Sequence, residues 1–209
     1  MKRYSEKELK ILNQQFKETS PAEIVDWVIS NAARPLITTN FRPYEVAILH
    51  VVSEVDPMIK VIWCDTGYNT PQTYKHANLL INKLKLNVKL YTPTHTAAYR
   101  DALFGGIPDI NNPQHEEFTR QVKLEPFLRA MRQQNPDVWF TNLRKGQTSF
   151  RNSIDVLSYS KDGILKVSPF YHWSDEQLDA YLKKYGLPNE FKYFDPTKVL
   201  ENRECGLHA

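Results

Sequence analysis

Pro35-Leu36-Ile37-Thr38-Thr39-Asn40-Phe41-Arg42-Pro43-Tyr44-Glu45-Val46-Ala47-Ile48-Leu49-His50 changes character twice within a short span. Pro35 to Thr39 is a short apolar run that turns polar at its end, which predicts a strand. Glu45 to Val55 is apolar enough and long enough for a buried helix. Strand, polar turn, helix is the arrangement that can gather backbone N–H groups and a positive helix end around a phosphate. Thr38, Thr39 and Asn40 would add side-chain donors. The same residues also suit an ordinary strand–helix turn, and taken alone they leave both readings open.

The pattern continues on either side. Met58 to Trp63 predicts a second strand, with Cys64 at its end as a buried core cysteine. Asp65-Thr66-Gly67-Tyr68 is a turn, and Thr70-Pro71 starts a helix that carries Tyr74, Ala77, Ile81 and Leu84 inward. Val88 to Tyr91 is a third strand and Val138 to Thr141 a fourth. Strands alternating with helices predict an α/β fold with a parallel-type central sheet flanked by helices. Ligands in such sheets bind outside the carboxyl ends of the strands. Thr38-Thr39-Asn40 and Asp65-Thr66-Gly67 both fall at such ends, so they can share one site.

Arg144-Lys145-Gly146-Gln147-Thr148-Ser149-Phe150-Arg151 follows the fourth strand. Arginine presents paired N–H donors that match phosphate and sulfate oxygens, so a cationic loop at this edge suits an anionic ligand. Residues 93–122, broken by Gly105-Gly106-Ile107-Pro108 and Asn111-Asn112-Pro113, read as a long irregular connection that covers the site. His95 and His115 within it have no metal-like spacing and are expected to be solvated. Lys123, just before a helix from Glu125 to Arg132, reads as a surface lysine. Residues 5–18 and the segment opened by Ser20-Pro21-Ala22-Glu23 predict two amphipathic helices suited to packing or to homodimer contacts. Asp155–Ser160 and Ile164–Val167 predict a hairpin, and Ser174 with Gln177 opens a last helix that ends at Gly186.

Of 209 residues, 41% are hydrophobic and 24% charged, which fits one ordinary globular domain. The expected division is a body over residues 1–190 and a C-terminal tail over 191–209. A net charge of +3 is too small to argue for nucleic acid, but focused in a cleft it suits a small anion. No apolar run is long enough to span a membrane, and the first residues lack a signal-peptide core. Two cysteines form no disulfide framework, so a reducing cytoplasm is the expected location.

Cys205 lies in Arg203-Glu204-Cys205-Gly206-Leu207-His208. A thiol near a chain end and beside a cation suits a nucleophile, because positive neighbours raise the thiolate fraction; it also suits a chance cysteine. Glu204-Cys205-Gly206-Leu207-His208 resembles the terminal motif of the assimilatory 3′-phosphoadenylyl-sulfate and adenylyl-sulfate reductases. Thr38-Thr39-Asn40-Phe41 with Val46 to His50 resembles that family's phosphate loop. Asp65-Thr66-Gly67-Tyr68 with Pro71 and Thr73-Tyr74 resembles its second signature, and Leu143-Arg144-Lys145 through Gln147 to Arg151 its arginine loop. The motifs occur in family order from about residue 35 onward.

The resemblance implies an adenine nucleotide alpha hydrolase-like, Rossmann-like fold with a mobile C-terminal tail. It also implies a reductase of the cluster-free type, since a cluster needs four cysteine ligands and the chain has two cysteines. The reaction it implies is thioredoxin- or glutaredoxin-dependent reduction of 3′-phosphoadenylyl sulfate to sulfite, with no bound cofactor. Cys205 would be the nucleophile, with His208 near the thiolate or leaving oxygens. Thr38, Thr39, Asn40, Asp65, Thr66, Gly67, Lys123, Arg144, Lys145, Gln147, Arg151 and Arg203 would face the substrate. Arg42 stands where the family has a glycine, so the first loop is expected to be reshaped, with Arg42 meeting a phosphate directly. The tail before Arg203 is shorter than in many members. Three alternatives stay open: the same chemistry on adenylyl sulfate, an ATP-cleaving enzyme of the same architecture, and a non-enzymatic nucleotide-binding module. The ATP-cleaving enzymes carry a glycine-rich loop, and residues 38–45 contain no glycine.

Overall fold

A computed structural model describes residues 2–197 of the chain. Two helices come first, α1 (Glu6–Phe16) and α2 (Pro21–Asn31). Both start on a capping box, the device predicted for α2. Ser5 and Ser20 accept from the backbone N–H of Glu8 and Glu23, whose carboxylates accept in return. The alternating units follow: β1 (Pro35–Thr39), α3 (Glu45–Val55), β2 (Lys60–Cys64), α4 (Pro71–Lys83) and β3 (Asn87–Tyr91). Then come α5 (Ala97–Phe104), α6 (Gln114–Thr119), a π turn (Arg120–Leu124), α7 (Glu125–Gln134) and β4 (Val138–Phe140). A 3₁₀ turn (Arg151–Ser153), β5 (Leu157–Tyr159), β6 (Leu165–Val167) and α8 (Asp175–Lys184) close the described chain.

The described strands form one sheet in the order β3-β2-β1-β4-β6-β5. All neighbours are parallel except β5 and β6, the predicted hairpin. Successive residues of β1 face opposite sides of the sheet. Leu36 packs with Ile62, Phe127 and Trp139 beneath α7, while Ile37 joins Val46, Val61 and Phe140 on the side of α2, α3 and α8. Both faces are covered, as parallel sheets require. Parallel strands also align their carboxyl ends, so the loops after β1, β2 and β4 emerge along one edge.

Three expectations need correction. Residues 93–122 are not an irregular connection, because they hold α5, α6 and most of the π turn. Thr96 caps α5 by accepting from Tyr99 N–H, and Gly105 ends it at φ +75. Next, α4 buries Thr73, His76, Ala77 and Leu80, one i, i+3, i+4, i+7 row, whereas Tyr74 points outward and is 36% exposed. Last, His115 is buried rather than solvated, whereas His95 is exposed as expected. Of the expected tail, residues 191–197 lie against the body. Phe191 packs edge-on to Tyr44, and Thr70 Oγ1 donates to the Lys192 carbonyl at 2.8 Å.

Candidate active site

A cleft opens at the carboxyl edge of the sheet, lined from β1 and its loop by Thr38, Thr39, Asn40, Arg42 and Glu45. Ile62 and Cys64 of β2, Lys123 of the π turn and Thr141 and Asn142 after β4 add to it. Arg151 from the cationic loop and Tyr193 and Asp195 from the final segment complete the wall. A smaller cavity continues past Asn40, Cys64 and Lys123 to Thr66 and Pro196. Residues far apart in sequence thus converge where a doubly covered parallel sheet places its ligands.

In the β1–α3 loop, Arg42 itself does not take a left-handed backbone. The left-handed conformations fall on its neighbours, Phe41 at φ +53 and Tyr44 at φ +66. The Phe41 ring, 1% exposed, is anchored edge-on to Trp63, which offsets the backbone cost. Arg42 Nε pairs with Glu45 Oε1 at 2.8 Å, and Arg42 Nη2 donates to the Asn142 carbonyl at 3.3 Å. Glu45 Oε2 accepts from Thr39 Oγ1 and from Asn40 N–H, both at 2.8 Å. Thr38 Oγ1 accepts from Trp139 Nε1 at 2.9 Å.

Asp65 and Gly67 form turn architecture beside the cleft. Asp65 Oδ1 accepts from Gly67 N–H at 2.9 Å, Asn69 Nδ2 at 2.8 Å and Tyr74 Oη at 3.0 Å. Gly67 sits at φ +81. Thr66 is buried and accepts from Tyr68 N–H.

Lys123 is not on the surface. It is 3% exposed, and Nζ pairs with Asp195 and donates to Thr197 Oγ1 at 3.1 Å. The π turn carries it inward between the helix faces that α6 and α7 bury, a placement no helical period reveals. Burial raises the Asp195 pKa, but the Lys123 ammonium and the Thr197 hydrogen bonds outweigh it and hold the carboxyl below its usual value.

The cationic loop divides. Arg151 is 3% exposed and lines the cleft, and Nη1 donates to Gln147 Oε1. Gln147 Oε1 also accepts from Arg144 N–H. Arg144 points away, pairing with Asp175 at 2.5 Å and lying over the Tyr44 ring. Lys145 is exposed. Cys64 is buried, and burial pushes its thiol pKa up to about 12. Arg203, Cys205 and His208 lie outside the described residues. Glu45, Asn142, Tyr193 and Asp195 are cleft residues that sequence reasoning missed. Glu45 had a signal, an acid at the first position of a helix that follows a loop expected to bind anions.

Among the described residues, no group of His, Cys, Asp and Glu is placed to hold a metal ion, and no helix is long and apolar enough to cross a membrane.

A family profile described as phosphoadenosine phosphosulfate reductase domain matches residues 34–193. A phosphoadenosine 5′-phosphosulfate reductase of Salmonella arizonae is 34% identical over 94% of this chain and 89% of its own length. One from Escherichia coli O6:K15:H31 is 33% identical over the same shares. A crystal structure of phosphoadenylyl-sulfate reductase from Candida auris superposes with a TM-score of 0.78, at 23% identity, over 89% of both chains. The NH3-dependent NAD synthetase of Campylobacter jejuni shares the fold at a TM-score of 0.56 and 11% identity, over 86% of this chain and 76% of its own.

Proposed function

The chain belongs to the phosphoadenosine phosphosulfate reductase family, and from that premise we propose that it reduces 3′-phosphoadenylyl sulfate to sulfite and adenosine 3′,5′-bisphosphate in sulfate assimilation. The observation that carries the reading is the convergence of Lys123 and Arg151, both buried, on a cleft at the carboxyl edge of the sheet. Cations held at a ligand-binding edge match the oxygens of a substrate with phosphoryl and sulfonyl groups.

In the first step the Cys205 thiolate attacks the sulfonate sulfur. The bond between that sulfur and the bridging oxygen breaks, and its electron pair leaves on the nucleotide phosphate. Cys205 then carries a sulfonate as S-sulfocysteine. A thiolate of thioredoxin or glutaredoxin attacks Cys205 Sγ, sulfite departs with the electron pair of the S–S bond, and a mixed disulfide forms. The donor's second thiol resolves it. The donor dithiol becomes a disulfide, and its two electrons take sulfur from sulfate to sulfite. Thiolate and sulfonate are both anionic, so the cations lower the barrier by offsetting their repulsion. His208 supplies a hydrogen bond to the thiolate or the leaving oxygens. Arg203 and Lys145 complete the proposed substrate-facing set, whereas Arg144 is held by Asp175. A cytoplasmic location fits the reducing partner.

A second reading, the same chemistry on adenylyl sulfate, is favoured by one observation: Arg42, the expected partner of a 3′-phosphate, is paired with Glu45. The experiment is sulfite release from radiolabelled phosphoadenylyl sulfate and adenylyl sulfate, with and without thioredoxin. Thioredoxin-dependent release, faster from the phosphorylated nucleotide, is expected. No release from either nucleotide would remove the reductase reading.

A further inference from the structure

The backbone amides of the β1–α3 loop are turned onto the chain itself. Asn40 and Arg42 N–H donate to Glu45 Oε2 at 2.8 and 3.4 Å, and Phe41 N–H to Thr39 Oγ1 at 2.9 Å. Tyr44 N–H donates to Asn189 Oδ1 at 2.9 Å, Glu45 N–H to the Arg42 carbonyl at 3.1 Å, and Pro43 has no N–H. With Thr39 Oγ1 and Arg42 Nε, four donors converge on the two oxygens of Glu45, a carboxylate 6% exposed. They are the donors that a phosphate at a strand–helix turn would meet. Glu45 already supplies the anion.

Three of those bonds reach Oε2 and one reaches Oε1. Each carboxylate oxygen has about two lone-pair sites, so Oε1 retains room for another donor. A second, independent acceptor lines the same cleft. Asn142 is 7% exposed, and its Oδ1 is buried with no hydrogen-bond partner. The Asn142 carbonyl accepts from Arg42 Nη2, which fixes the two acceptors to one wall. A buried acceptor left unmatched is costly. Asn142 Oδ1 is such an acceptor, and with the spare lone pair of Glu45 Oε1 it calls for a ligand group that donates.

We propose that Glu45 and Asn142 are specificity-determining residues: Glu45 fills the anion position of the β1–α3 loop, and the side-chain oxygens of this wall accept from the ribose, through the 2′-hydroxyl that 3′-phosphoadenylyl sulfate leaves free. This rests on the nucleotide reading above. The phosphoryl and sulfonyl groups then fall to Lys123 and Arg151, and the loop contributes hydroxyl recognition in place of phosphate binding. A carboxylate that accepts from a ribose hydroxyl is an established way for an α/β site to read the sugar.

The test is calorimetric titration of the full chain with adenosine 5′-phosphate, its 2′,3′-dideoxy analogue and inorganic phosphate. Wild type should bind the hydroxylated nucleotide at least about tenfold tighter than the dideoxy analogue, the effect of one hydrogen bond to a charged group. Glu45→Ala should erase that preference and bind inorganic phosphate about tenfold more tightly than wild type. Equal wild-type affinity for the two nucleotides, or a preference that survives in Glu45→Ala, would overturn the proposal. If the alanine variant fails to fold, Glu45→Gln decides by the same nucleotide ratio, since it keeps the volume and removes the charge. The readout is binding, so a chain with the hydroxyl preference but no sulfite release would lose the reductase reading and keep this one.

Discussion

Cys64 is a thiol in the cleft wall that burial disarms. Its pKa is pushed up to about 12 by burial, against the pull of Arg129 and Lys123, so at neutral pH the thiol stays protonated. Cys205→Ser is therefore expected to bind nucleotide and release no sulfite, while Cys64→Ser stays active. Mass spectrometry after incubation with substrate and no thioredoxin should place one added sulfonate group on the C-terminal peptide; an adduct on Cys64 would refute the assignment. Arg42 carries a second residue-scale prediction. Its Nε is 2.8 Å from Glu45, so its charge is balanced within the loop. Arg42→Ala should lower kcat/KM for phosphoadenylyl sulfate and adenylyl sulfate by the same factor. A loss confined to the 3′-phosphorylated substrate would restore Arg42 as that phosphate's partner and cost about 1.5–3 kcal/mol of transition-state binding.

The turn after β2 separates architecture from chemistry. Asp65 Oδ1 already accepts from Gly67 N–H, Asn69 and Tyr74. Gly67 adopts φ +81, and an added Cβ would meet Ala97 Cβ at 3.5 Å, an ordinary contact. Gly67→Ala thus pays only backbone strain, about 1–2 kcal/mol, which is roughly 2–8 °C in Tm for a chain of this size. Thermal unfolding should show that drop with kcat/KM nearly unchanged; a large catalytic loss at full stability would make Gly67 a substrate contact. Elements of this kind were legible in the sequence because their signals are local. Ser20-Pro21-Ala22-Glu23 announces α2, and Lys161-Asp162-Gly163 announces the turn between β5 and β6. α5 was missed because Gly105-Gly106 and the nearby prolines read as breakers, although Thr96 and Gly105 are its two caps. Tyr74 was expected inward with Ala77, Ile81 and Leu84, an apolar row at helical spacing, whereas the row that α4 buries, Thr73-His76-Ala77-Leu80, starts with two polar residues.

At the scale of the whole molecule, the carboxyl edge of the sheet was predictable, since strand–helix alternation fixes where the loops of β1, β2 and β4 emerge. The long-range pairing across that edge was not, because nothing local joins Lys123 to Asp195. That ion pair ties the final segment to the body, ten residues before Cys205. Lys123 and Asp195 side chains are 4% and 7% exposed, so deleting one partner leaves a buried charge uncompensated. Asp195→Asn should therefore destabilise the protein by about 3–5 kcal/mol at neutral pH. The pH dependence follows from the depressed folded pKa of Asp195, whose ordinary value is 3.8. A group depressed on folding contributes stability that is fully present above its unfolded pKa and is lost as pH falls through the folded one. Urea unfolding of both proteins should give a constant difference from about pH 5 to pH 7. Below pH 3.8 the difference should shrink as wild-type Asp195 takes up a proton and comes to resemble asparagine. A difference that persists unchanged into acid would mean that the pair contributes through packing alone, and that charge does not hold the final segment on the cleft.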